Sequence, residues 1–248
     1  MITRFRTLAF VALLGATVSS SAVAQRGGPG FMFGEPRASL TIRTGWAAAR
    51  AGSDLFEYTS GLLTLDRADF SSPSLDVDVS WHIAPTTMMV ASLSLTSTTR
   101  RSEFRDYVDN NQLPIEQTTE FARRPITLGI KQYIGSPGQS IGRYAWVPTR
   151  AVPYIGIGAG AMYYNFQQSG DFIDFQTLDV FSSQYGSSGW APTAYARGGI
   201  EYSLSSRMGL VGDARYNWAS AELSDDFSGF ERLDLSGLSV TVGLNIRY

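Results

Sequence analysis

The chain holds a single histidine, His82, so any Ser-His-acid hydrolase or histidine-based metal site would have to be built around it. Asp76 and Asp78 stand two apart, which places two carboxylates on one face of a strand, where such a pair could hold a metal or divide acid and base roles. The tract Gly156-Ile157-Gly158-Ala159-Gly160-Ala161 approximates the glycine loop that brings a pyrophosphate against a helix N-terminus. Each of these has a plainer reading. No helix pattern follows the glycines, because Met162, Tyr163, Tyr164 and Phe166 continue to alternate as a strand; the glycines are expected to face a crowded interior. His82 adjoins the turn signal Ala84-Pro85-Thr86, and no activating geometry is legible around it. Arg43, Lys131, Arg197, Glu201, Asp213, Arg215 and Arg247 fall, like Asp76 and Asp78, on the polar side of alternating segments. Acids and bases interspersed along one interior are expected to pair as a structural network.

The elements that would position these residues are strands. In the last segment Leu238, Val240, Val242, Leu244, Ile246 and Tyr248 share one face, and Ser239, Thr241, Gly243, Asn245 and Arg247 the other. The same period of two runs through 208–219 and 193–204, where Leu210, Ala214, Tyr216 and Trp218 oppose Asp213, Arg215 and Asn217, and Ala194, Ala196 and Ile200 oppose Arg197 and Glu201. It recurs around Val152 to Tyr164, Ile126 to Lys131, Met89 to Thr96, Leu75 to Ile83 and Leu40 to Trp46. These are eight spanning segments. Their linkers alternate in length: Ala84 to Thr86 and Ser205 to Arg207 are short, whereas roughly 51–71, 100–118, 165–190 and 221–233 read as long loops. The link from Gly135 to Arg150 breaks that asymmetry.

Composition narrows the class. A hydrophobic fraction of 44% with 17% charged residues suits one folded domain, and 12% aromatic residues with 25 glycines favour strands and turns. The net charge is −2 and Lys131 is the one lysine, so no electrostatic footprint for nucleic acid exists. With no cysteine, disulfides, thiolate metal sites and lipid-modified N-terminal cysteines are excluded. Arg4 and Arg6 precede an apolar run from Leu8 to Val18 and the small-residue sequence Ala22-Val23-Ala24, which reads as a cleavable signal peptide over 1–24. The run is too short for a membrane helix, which needs about 20 apolar residues. Residues 25–36 read as a flexible periplasmic lead-in and 37–248 as the folded domain.

A chain exported in this way, apolar on one strand face and charged on the other, is expected to form an eight-stranded antiparallel up-and-down transmembrane β-barrel in the outer membrane of a Gram-negative envelope. Trp46, Tyr163 and Trp218 fall near the outer ends of the strands and Trp81, Tyr202 and Tyr248 near the periplasmic ends, as two aromatic girdles would. An eight-stranded barrel is barely wide enough for its own side chains, so a salt-bridged plug is expected rather than an aqueous channel. Apolar residues in the loops, namely Leu55, Phe56, Leu62, Leu63, Phe172, Phe175 and Phe181, either extend strands past the membrane and pack on themselves, fold over the barrel mouth, or line a hydrophobic way in.

The segments PYIGIGAGAMYYNF, GGIEYSLSSRMGLVGDARYNW and GLSVTVGLNIRY, preceded by RRPITLGIKQYI, resemble the last strands of the outer-membrane protein W family, within a wider OmpA-like, porin-like group of small barrels. The resemblance implies an eight-stranded barrel, in some members linked to transport of small hydrophobic molecules, and the expected function is that of a non-enzymatic outer-membrane barrel, structural or assisting such passage. Its terminal aromatic, Tyr248, resembles the signal read by the barrel-assembly machinery, although the family usually ends in Phe. Expected partners are outer-membrane lipids and lipopolysaccharide, that machinery, and a small hydrophobic ligand; no cofactor, metal or nucleic acid is expected. The alternatives are an adhesion or interaction protein working through its extracellular loops and, less favoured, a lipid-modifying barrel enzyme.

Overall fold

A computed structural model describes residues 30–109 and 112–248; the expected leader over 1–24 lies outside the described residues. Eight strands form the body: β1 (Ala38–Ala49), β2 (Ser72–Ala84), β3 (Thr87–Val108), β4 (Pro114–Tyr133), β5 (Ala151–Ile173), β6 (Val180–Ser203), β7 (Met208–Ala221) and β8 (Gly237–Arg247). Each pairs antiparallel with its neighbours in sequence, β8 pairs with β1, and the eight make a ring. Alternation sets the faces. In β1, Ser39, Thr41 and Arg43 are buried inward while Ile42 and Trp46 are about half exposed outward.

The strands differ greatly in length. β1, β2, β7 and β8 hold 12, 13, 14 and 11 residues, about what a tilted strand needs to span a bilayer, whereas β3 to β6 hold 22, 20, 23 and 24. The long loops expected over 100–118 and 165–190 are therefore mostly strand. Their connections shrink to 109–113 and 174–179. Along β5 the pattern inverts: inward Gly156, Gly158 and Gly160 give way to Met162, Tyr164 and Phe166, while outward Ile155 and Ile157 give way to Asn165, Gln167 and Ser169. Alternation continues, but the apolar face changes sides.

Short connections, Pro85-Thr86 and 204–207, mark the lower end of the ring. The 135–150 link forms a hairpin there, Gly138–Ile141 with Ala145–Pro148, and Met32–Phe33 adds a third strand. The expected flexible lead-in is thus anchored at Met32 and Phe33. At the upper end the 50–71 connection holds helix α1 (Asp54–Leu62) and a 3-10 turn, Arg67–Phe70, where the sequence suggested only loop. Asp66 and Asp69 cap that turn reciprocally, and Leu55 and Phe56 bury the inner face of α1.

Candidate functional site

The ring is filled from end to end, in layers. At the bottom, Met88, Val90, Tyr133, Val152, Tyr154 and Val211 form an apolar layer. Beneath it the lower hairpin inserts Trp146, 2% exposed, with the Arg247 guanidinium 5.9 Å from its ring centre. The sequence reading expected a salt-bridged plug and did not single out this layer, in which Met88 and Val90 continue the inward register of Ser92 and Ser94 with apolar side chains.

Charged side chains share this level and continue above it, Glu201 lying opposite Val152 and Val211 and Lys131 opposite Met88. Glu201 gathers Arg247 at 2.6 Å, Lys131 at 3.5 Å, the Tyr133 hydroxyl at 2.8 Å and the Asn245 amide at 2.7 Å. Asp78 accepts from Arg43 at 2.8 Å and, across the lumen, from Arg197 at 2.6 Å. All nine residues expected in the network are buried inward, yet three of them make no ion pair within 4 Å among the described residues. Asp76 accepts from the Ser94 hydroxyl and Asp213 from the Tyr154 hydroxyl. Arg215 donates to Thr127 and Asn217, both at 3.0 Å, and lies 3.8 Å over the Tyr195 ring. The expectation that every lumen charge pairs with another is corrected: three of them take hydroxyls, the Asn217 amide or a π face as partners instead of an opposite charge.

The glycines make this possible. Gly129 and Gly158 sit opposite each other on β4 and β5, and a methyl on either would run into Tyr195; one on Gly156 would press on Arg197. They face the lumen as read, and their role is to admit the Tyr195 and Arg197 side chains.

Sequence reasoning missed Arg123. It is buried on β4, donates to the Leu235 and Ser236 carbonyls at 3.1 and 3.2 Å, and stacks over Phe121 at 5.3 Å. It stands at the floor of an upper apolar core. Phe56 from α1 is fully buried there, with Phe70, Phe121 and Phe166 edge-on at 4.6, 5.3 and 5.7 Å, and Phe227 reaches Phe166 at 5.5 Å. Leu55, Leu63, Leu65, Leu233 and Leu235 complete it. Of the readings open for the apolar loop residues, self-packing and strand extension describe where they lie. Leu55, Phe56 and Leu63 are core residues with 0 to 2% exposure, Leu62 packs against them, and Phe172 and Phe181 stack on each other at the hairpin tip beside an exposed Phe175.

Space in the lumen is correspondingly small. A void of about 20 Å³ separates Asp76 from Arg123, and one of about 10 Å³ lies at the lower end between His82, Ser39, Tyr133, Trp146 and Arg247. Each is the size of a single water. His82 shares its void with Ser39, but no hydrogen bond joins them, and the void admits no substrate. Among the described residues no cluster of three or more potential ligands could hold a metal.

Outside, the ring carries an apolar belt. Ile42, Leu75, Ile126, Leu128, Ile130, Ile155, Ile157, Ile200, Leu210, Val240 and Leu244 are 42 to 67% exposed. On β5 the belt runs from Pro153 to Tyr163; ten steps of about 3.4 Å at a tilt of about 40° rise about 26 Å, the height of a hydrocarbon band. Trp46, Trp218 and Tyr163 border it above, and Trp81, Tyr202 and Tyr248 below. Trp190, absent from the expected girdle, joins the upper border edge-on to Tyr163 at 5.5 Å.

No family profile matches the chain, and no curated protein does. The likeness to outer-membrane protein W therefore rests on the quoted strands alone. Among solved structures, the chain is similar to Neisserial surface protein A at 10% identity and TM-score 0.45, covering 85% of this chain and 96% of that one. Ail, the attachment invasion locus protein of Yersinia pestis, aligns at 14% identity and TM-score 0.41 over 86% and 99%. The N-terminal β-barrel domain of Pseudomonas aeruginosa OprF aligns at 10% and 0.34 over 86% and 100%. Each is an outer-membrane barrel or surface protein; at these scores the likeness carries no weight for function.

Proposed function

We propose that the chain is a non-enzymatic outer-membrane barrel that conducts nothing, and that its ring anchors two long hairpins which act as an interaction surface outside the cell. One observation carries the reading. The ring is packed over its whole height while β3 to β6 continue roughly ten residues past the upper girdle. A conduit would need the first feature absent and has no use for the second. The belt supports membrane insertion, because a water-facing surface rarely exposes so large a contiguous apolar area. The signal-peptide reading of 1–24 supports export.

Passage of hydrophobic molecules is the weaker reading, since four of the seven residues expected to line its mouth, Leu55, Phe56, Leu62 and Leu63, lie in or against the upper core. Reconstitution into a planar bilayer and into liposomes tests the choice. The expected result is neither steady conductance nor accelerated uptake of a hydrophobic solute. Either activity in the intact chain overturns the proposal.

A further inference from the structure

Among the described residues, the tips of the two hairpins bear large apolar side chains that stay substantially exposed. Phe175, Leu178 and Phe181 on the β5–β6 tip are 48, 63 and 41% exposed, and Tyr107 and Leu113 on the β3–β4 tip are 38 and 58% exposed. Tyr107 meets Phe175 edge-on at 5.9 Å, so the tips form one surface. It lies about ten residues beyond the girdle residue Tyr163, in water rather than lipid.

The β5–β6 tip is closed by its own hydrogen bonds. Leu178 has φ of 63°, a left-handed backbone that bulky residues seldom adopt. Its N–H donates to the Asp174 carbonyl at 2.7 Å, the Asp174 N–H donates to Asp179 at 3.0 Å, and the Asp174 carboxylate accepts from Gln176 at 2.8 Å. A strained turn that holds leucine where glycine or asparagine would rest easily, and points it outward, is built for presentation.

The surround is acidic. Over 103–116 and 169–184 the chain carries Glu103, Asp106, Asp109, Glu116, Asp171, Asp174 and Asp179 against Arg105 alone, which leans toward Asp66 and the Leu65 carbonyl. We propose that this surface binds a cationic amphipathic polypeptide, whose apolar face covers Phe175, Leu178 and Tyr107 while its basic residues meet the acidic rim. Charge complementarity selects that partner over an anionic one and steers its approach.

This rests on reading the hairpins as the working surface. The intact chain in zwitterionic nanodiscs is titrated with a synthetic helix carrying leucine on one face and lysine on the other, with empty nanodiscs as blank and a glutamate-for-lysine helix as control. The lysine helix should bind and the glutamate helix should not. Leu178→Asn with Phe175→Ser should weaken binding about tenfold or more, as loss of an exposed anchor does. Asparagine accepts the left-handed turn, and unchanged heat-modifiable gel mobility shows that the barrel is intact. Asp106→Asn with Asp179→Asn should flatten the salt dependence. Equal binding of both helices, absence of binding, or binding indifferent to the tip variants overturns the proposal. Failure here with a non-conducting chain removes only this partner; conductance removes the function proposed above, even if the helix binds.

Discussion

Asp78 is the position where the packed lumen makes its sharpest claim. It is 2% exposed and serves two guanidiniums, Arg43 from β1 and Arg197 from β6, which lie on different parts of the ring. Among the described residues no other group accepts a hydrogen bond from either. Breaking one buried pair by removing one partner costs about 3–5 kcal/mol, mostly from the charge left behind. Asp78→Ala leaves two such charges side by side, so a loss of about 5 kcal/mol is expected. Arg43→Met leaves the Asp78–Arg197 pair whole and fills the space with methylene, and should cost under about 2 kcal/mol. The acid must therefore matter more than either base. Equilibrium urea unfolding in lipid vesicles, followed by tryptophan fluorescence, measures both variants. If Asp78→Ala falls within about 1 kcal/mol of the parent, the lumen is wet enough to solvate free guanidiniums. A packed lumen would then be ruled out, and with it the expected lack of conductance.

Other tests address the remaining layers. Phe56→Ala removes a fully buried ring from among three others and should cost about 3–5 kcal/mol without opening a current, because the charged layer lies below it; a current through this variant would show that the upper core is the real seal. Gly158→Ala forces a methyl against Tyr195 and should cost about 1–3 kcal/mol, and Tyr195→Phe should relieve little of it, since the ring itself is in the way. Trp146→Ala should speed hydrogen exchange at the lower strand ends while leaving the upper core protected. Uniform protection, or uniform loss, in exchange mass spectrometry would count against a lower lid that packs independently.

Much of the ring was legible because a strand under two different environments writes a period of two. Leu238 to Tyr248 and Leu75 to Ile83 show it so plainly that faces, strand number and the inward course of all nine network residues follow directly. The outer halves of β3 to β6 were read as loops for a definite reason. Above the girdle the outside is water, so apolar residues move to the inner face, and the switch from Ile157 outward to Tyr164 and Phe166 inward looks like lost periodicity when one face is assumed apolar throughout. The helix at Asp54–Leu62 was hidden in the same way, its short apolar stripe having no visible partner in the linear chain.

The sequence by itself determined that the chain is a ring of about eight strands with charge inside and an apolar belt outside, since each strand records its own two faces. Whether that ring is open was a matter for the tertiary structure alone. Occupancy depends on which distant side chains meet: Arg197 with Asp78, Arg215 with the Tyr195 ring, Phe56 with Phe166, and Trp146 with Arg247. None of these pairings is written in local spacing, because register and the curvature of the ring bring them together. The same geometry brings Tyr107 to Phe175, and so turns two hairpin tips into one surface.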